Sequence, residues 1–65
     1  MNRIIQTEKI TDSIYRVKVD RNEYVFSFNM PSEVVLRELN RHEFLSRREQ
    51  EELLRCLNGM ARRRQ

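Results

Sequence analysis

The chain has 65 residues, 38% apolar and 35% charged, with a formal net charge of +3. That length makes one domain, and a chain so short buries only about 60% of its unfolded surface. A single cysteine, Cys56, excludes an intrachain disulfide framework and fits a reducing compartment. Residues 1–9 carry no long apolar run, so neither a signal peptide nor a membrane span is expected, and the expected location is cytoplasmic.

The charge is unevenly placed. Residues 1–40 carry six basic and six acidic side chains, whereas residues 41–65 carry seven arginines and four glutamates. Removing Arg62, Arg63 and Arg64 would leave the chain neutral, so its basicity belongs to the C-terminal end. Eleven of the thirteen cations are arginine, the side chain suited to bidentate phosphate or carboxylate contacts, although a bias in the source genome's coding gives the same count. The apolar content is thin for the size, which leaves room for a second copy or a partner to complete the core.

Taken in chain order, Arg3 to Ile10 is anchored by Ile4, Ile5 and Ile10 and reads as a first strand. Thr11, Asp12 and Ser13 form a turn cluster. The next segment alternates, with Tyr15, Val17 and Val19 on one face and Arg16 and Lys18 on the other, as a half-buried strand does. After polar Asp20 to Glu23, Tyr24, Phe26, Phe28 and Met30 alternate again, which predicts a hairpin. Pro31 ends that strand and can sit in the first turn of a helix, with Ser32 and Glu33 favourable at its start. Val35, Leu36 and Leu39 make one helical stripe. Phe44 and Leu45 are expected as apolar anchors at its end.

Ser46 to Glu49 has the S-x-x-E form of a capping box, so a second helix should begin at Arg47. Leu53, Leu54, Leu57 and Met60 form its stripe, and Glu51 and Arg55 stand at a favourable i,i+4 spacing. Gly59 is expected as the left-handed cap closing it, with residues beyond Ala61 as a tail. The prediction is an α+β domain over 1–61: a three-stranded antiparallel β-meander (about 3–10, 14–19 and 24–30) covered by two short helices (about 32–41 and 47–58), then a basic tail at 62–65.

Chemistry-bearing residues are sparse. His42 stands beside Glu43, a pair able to act as a general base, but a solvated histidine near a helix end explains the same residues. Cys56 borders an apolar stripe, where a structural cysteine is the ordinary finding. One cysteine and one histidine cannot build a zinc site unaided, and one glycine makes no phosphate loop. The expectation is a non-enzyme without cofactor or metal.

The run Phe26-Ser27-Phe28-Asn29-Met30-Pro31-Ser32-Glu33-Val34, followed by Ser46-Arg47-Arg48-Glu49, resembles the ribbon-helix-helix family of DNA-binding repressors over residues 24–57. The resemblance implies a homodimer whose paired strands enter the major groove. It gives base readout to Val25, Ser27 and Asn29, a dimer core to Phe26, Phe28 and Met30, and phosphate contact to the start of the second helix at Ser46 and Arg47. The two preceding strands would compete with such pairing. A helix-turn-helix reading uses the same second helix, but Glu49, Glu51 and Glu52 would repel phosphate there.

Two functions remain. The first is a small regulatory module contacting nucleic acid, with phosphate contacts from Arg47, Arg48, Arg62, Arg63 and Arg64, aided by Arg16 and Lys18. The second is a protein-binding module, an inhibitor or adaptor that docks onto a larger host protein complex, with the meander's exposed edges, Val25, Ser27 and Asn29 as contact surface.

Overall fold

A computed structural model of the chain describes residues 3–63, with side chains through residue 60. Its fold is α+β: three antiparallel strands followed by two helices. The strands are β1 (Ile5–Lys9), β2 (Ile14–Val19) and β3 (Asn22–Ser27), in the order β1-β2-β3 of a simple meander. The helices are α1 (Ser32–Glu43) and α2 (Arg47–Arg63).

Local chemistry explains each turn. Thr11 Oγ1 accepts hydrogen bonds from the backbone N–H groups of Ser13 and Ile14, both at 3.1 Å, and so reverses the chain between β1 and β2. Val19 pairs with Asn22, leaving a two-residue hairpin loop at Asp20 and Arg21. Asp20 takes a positive φ of 55° there, which an aspartate tolerates better than most side chains. Its carboxylate also accepts from the Ile4 N–H at 3.0 Å, tying the start of the chain to the loop.

β3 ends at Ser27 rather than running on to Met30. Ser27 Oγ accepts from the Asn29 N–H, and the Met30 N–H donates to the Ser27 carbonyl. The Phe28 N–H still donates to the Ser13 carbonyl at 2.9 Å, and the closed turn then takes the backbone out of the ladder, so Met30 keeps the alternation in space without continuing the strand. Pro31 is the N-cap residue of α1, just ahead of the first turn, and its carbonyl accepts from Val34 and Val35.

The inner face of the sheet carries Tyr15, Val17 and Val19 from the central strand, all buried. Ile5 joins them from β1, and Val35, Leu39, Leu45, Leu53 and Leu57 close the core from the helices. Tyr24, Phe26, Phe28, Met30, Leu36 and Met60 pack around it half-buried. The Tyr15 ring lies 4.8 Å from that of Phe28 and 6.0 Å from that of Phe26. Burial pushes the Tyr15 phenol up to about 12.

Two expectations at helix ends are corrected. Gly59 does not close α2: the helix runs through it to Arg63, and no glycine has a positive φ. Met60 is the reason. It falls three residues after Leu57 and packs against the core, so another turn of helix buries apolar surface that a cap at Gly59 would forfeit. A Cβ at Gly59 would meet nothing within 4 Å. Gly59→Ala should therefore stabilise the fold by roughly 0.5–1 kcal/mol, read as a higher midpoint in thermal unfolding.

The second correction is Phe44. Leu45 is a buried anchor, but Phe44 is 79% exposed. It occupies the left-handed C-cap of α1 with φ 53°, and its N–H donates to the Asn40 carbonyl. The Asn40 side chain accepts from the Leu45 N–H at 2.6 Å. This left-handed residue turns the chain sharply enough to bring Leu45 inward, and the same turn throws Phe44 outward. A side chain is strained in that conformation. Phe44→Gly should raise stability by about 0.5–1 kcal/mol in urea unfolding.

Candidate binding surfaces

The arginines fall into two groups. Arg16 lies on the outer face of the central strand, opposite Glu8 on β1 and two positions along from Glu23's partner Lys18. Its guanidinium is bonded to Glu8 and, at 3.3 Å, to Glu23. Those carboxylates, Glu8 first, raise its affinity for its proton further. Lys18 is exposed on the same face, but the face as a whole is mixed in charge and presents no basic stripe.

Arg47 and Arg48 open α2, and Arg55 stands two turns further along. All three are exposed, and among the described residues none makes an ion pair. The expected Glu51–Arg55 bridge is absent from those pairs. Arg62 and Arg63 are in the last turn of α2, with side chains beyond the described ones, and Arg64 lies outside the described residues. A 17-residue helix spans about 25 Å, so its two ends are separate contact points on one rod.

Val25 is 60% exposed on the outer sheet face. Ser27 is half-buried, with its hydroxyl committed to the Asn29 N–H, and Asn29 is exposed in the turn beyond the strand. One edge of β3 pairs with β2 in the same chain. Pairing across two chains, which the ribbon-helix-helix resemblance implies, would have to use the opposite edge.

The most connected polar cluster was not among the sequence candidates. Glu43, at the end of α1, is buried. Its carboxylate accepts from Arg3 Nη1 at 3.1 Å, from Asn22 Nδ2 at 2.8 Å and from the Tyr24 hydroxyl. That last bond is the main reason the Tyr24 phenol lies above its ordinary value, with burial next. Arg3 also donates its backbone N–H to Glu49 at 3.1 Å. Glu49 in turn completes the capping box: it accepts from the Ser46 N–H at 2.7 Å, while Ser46 Oγ accepts from the Glu49 N–H at 3.2 Å. These bonds, Ser46's backbone first and then Arg3's, hold the Glu49 carboxyl below the usual range.

The cluster thus ties Arg3, the β2–β3 hairpin and both helices together at one corner. One signal for it was legible: Glu43 stands four residues after Leu39 and eight after Val35, so a carboxylate falls on the buried stripe of α1.

This arrangement also bears on His42. Its ring stacks on Tyr24 with centroids 6.0 Å apart, and Glu43 is engaged by three other donors rather than by the imidazole. Among the described residues no group of three or more His, Cys, Asp or Glu side chains is placed to hold a metal ion. No helix among them is long and apolar enough to cross a membrane. Compared with protein-family models, curated proteins and solved structures, the chain has no match.

Proposed function

We propose that this chain is a small, non-enzymatic regulatory module that contacts the phosphate backbone of nucleic acid through the arginines of α2. The observation that supports this reading is the difference between its arginines. Arg16 is tied to two glutamates, whereas Arg47, Arg48 and Arg55 are exposed and unpaired among the described residues. An exposed cation without a protein partner is free to neutralise a phosphate, and the counterions condensed on the nucleic acid that it displaces drive association. Arg62 and Arg63 stand in the last turn of the same helix, and Arg64 follows them in the sequence. Nothing in this contact reads a base, so the affinity is independent of sequence.

Titrating the protein with random duplex DNA and with RNA at several salt concentrations tests the reading. Affinity should fall steeply with salt. Arg47→Ala with Arg48→Ala should lower the slope of log affinity against log salt by about two, and deleting residues 62–65 by about three. Arg16→Ala should leave the slope nearly unchanged, because its charge is already compensated. No complex at low salt with either nucleic acid would rule the function out.

A further inference from the structure

We propose that the free edge of β1, with the cleft beside it, takes up an extended acidic segment of a partner protein as a fourth strand of the sheet.

The phase of the β ladder defines the edge. The Ile10 N–H donates to the Ile14 carbonyl and the Asp20 N–H to the Ile4 carbonyl. Both bonds follow the β1–β2 register, in which Gln6 faces Lys18 and Glu8 faces Arg16. In an antiparallel ladder bonded pairs alternate with unbonded ones. The even-numbered residues of β1 therefore bond to β2, and the backbone groups of Ile5, Thr7 and Lys9 point to the open side. No hydrogen bond from the described residues reaches them there. β1 has neither a bulge nor a proline, two of the devices that close an edge, and the inward charge it carries, Lys9, is the one an acidic strand would pair with.

The side chains of those odd-numbered positions share the sheet's inner face with the buried Ile5. On that face a cleft of ≈ 530 Å³ opens between β1 and the C-terminal half of α2, lined by Thr7, Lys9, Phe28, Arg55, Gly59 and Met60 among others. Its floor is apolar and its rim carries two cations, with no carboxylate in the lining. Lys9 reaches Asp12 at 3.1 Å, but Asp12 is 94% exposed, and so open a pair is readily exchanged. Arg55 makes no ion pair among the described residues.

Two features thus coincide. Backbone groups are aligned to accept a strand, and the side chains of alternate residues in that strand would enter an apolar cleft with a positive rim. The occupant defined by this geometry is an extended segment whose inward positions alternate leucine-like and acidic side chains. Its outward positions, which meet Gln6 and Glu8, are uncharged. The site shares Arg55 with the proposed phosphate surface of α2, whereas the β1 edge, Lys9 and Gly59 belong to it alone.

The test uses the full, reduced chain and a blocked seven-residue peptide in which leucine and glutamate alternate with threonine. A control peptide carries lysine for glutamate. Amide hydrogen exchange is followed by NMR. The acidic peptide should slow exchange at Thr7 and Lys9 and leave β3 amides unchanged. Arg55→Glu should weaken its binding about tenfold. Gly59→Leu, a substitution the helix favours and one that fills the cleft, should abolish it. Thr7→Pro removes an outward donor without breaking the β1–β2 ladder and should also abolish it. Unchanged exchange at Thr7 and Lys9 would overturn the proposal, as would equal binding of the lysine peptide or full binding by the Gly59→Leu protein.

Discussion

Glu43→Ala is expected to destabilise the domain by about 3 kcal/mol, the largest effect of any single substitution considered. The carboxylate is the common acceptor for Arg3, Asn22 and Tyr24, and it lies in a corner that water barely enters. Removing it leaves three donors without their shared acceptor, Asn22 exposed and Arg3 and Tyr24 half-buried. The loss stays toward the lower end for a broken buried pair because the Arg3 side chain remains 31% exposed and can turn to water. A domain of this size has total stability of roughly 3–10 kcal/mol, so the variant should lose about a third or more of it and unfold at a much lower urea concentration. Urea unfolding followed by far-ultraviolet circular dichroism measures it. Glu43→Gln, which keeps the shape and one acceptor oxygen, should lose less. A change below about 1 kcal/mol for the alanine variant would mean that the donors are satisfied by water and that the corner is not a structural link.

Glu49 gives the second large effect, and it depends on pH. Its carboxylate closes the capping box on Ser46 and accepts the Arg3 N–H. Its folded value lies below the ordinary 4.5. A carboxyl with a depressed folded value adds stability that is fully present above the unfolded value and is lost as pH falls through the folded one. Stability should therefore decline as the solution is acidified below about pH 4.5. Glu49→Gln should cost about 1–2 kcal/mol at pH 7, and its curve should converge on that of the unaltered protein at low pH. Melting curves of both proteins between pH 7 and pH 3 test this. Parallel curves across that range would show that the ionised form of Glu49 contributes nothing specific.

These predictions separate the parts of the molecule that a sequence reveals from those it conceals. The central strand was legible to the residue, because Tyr15, Val17 and Val19 alternate with Arg16 and Lys18, and that period depends only on immediate neighbours. The start of α2 was legible for the same reason: Ser46 and Glu49 satisfy each other across one turn. The end of α2 was not. Gly59 is a cap by local preference, and it became an interior helical residue because Met60 had core to reach. Phe44 was misplaced by the converse error, since its apolar character says nothing about the left-handed turn that Leu45 and Asn40 impose on it.

The candidate sites divide in the same way. That Arg47 and Arg48 would be exposed follows from their position on the outer side of an amphipathic helix. That Arg16 would be neutralised follows from strand register, which brings Glu8 and Glu23 to it from both sides. The polar corner was least visible, because Arg3 and Glu43 are separated by 40 residues.

The sequence by itself determined the periodic elements and the chemistry of their ends, since those rest on interactions within a turn of helix or a pair of strand residues. Only the tertiary structure decided which carboxylates are committed, which arginines remain open, and which edge of the sheet faces a cleft. Those outcomes depend on surfaces that meet only after the helices have folded back over the sheet.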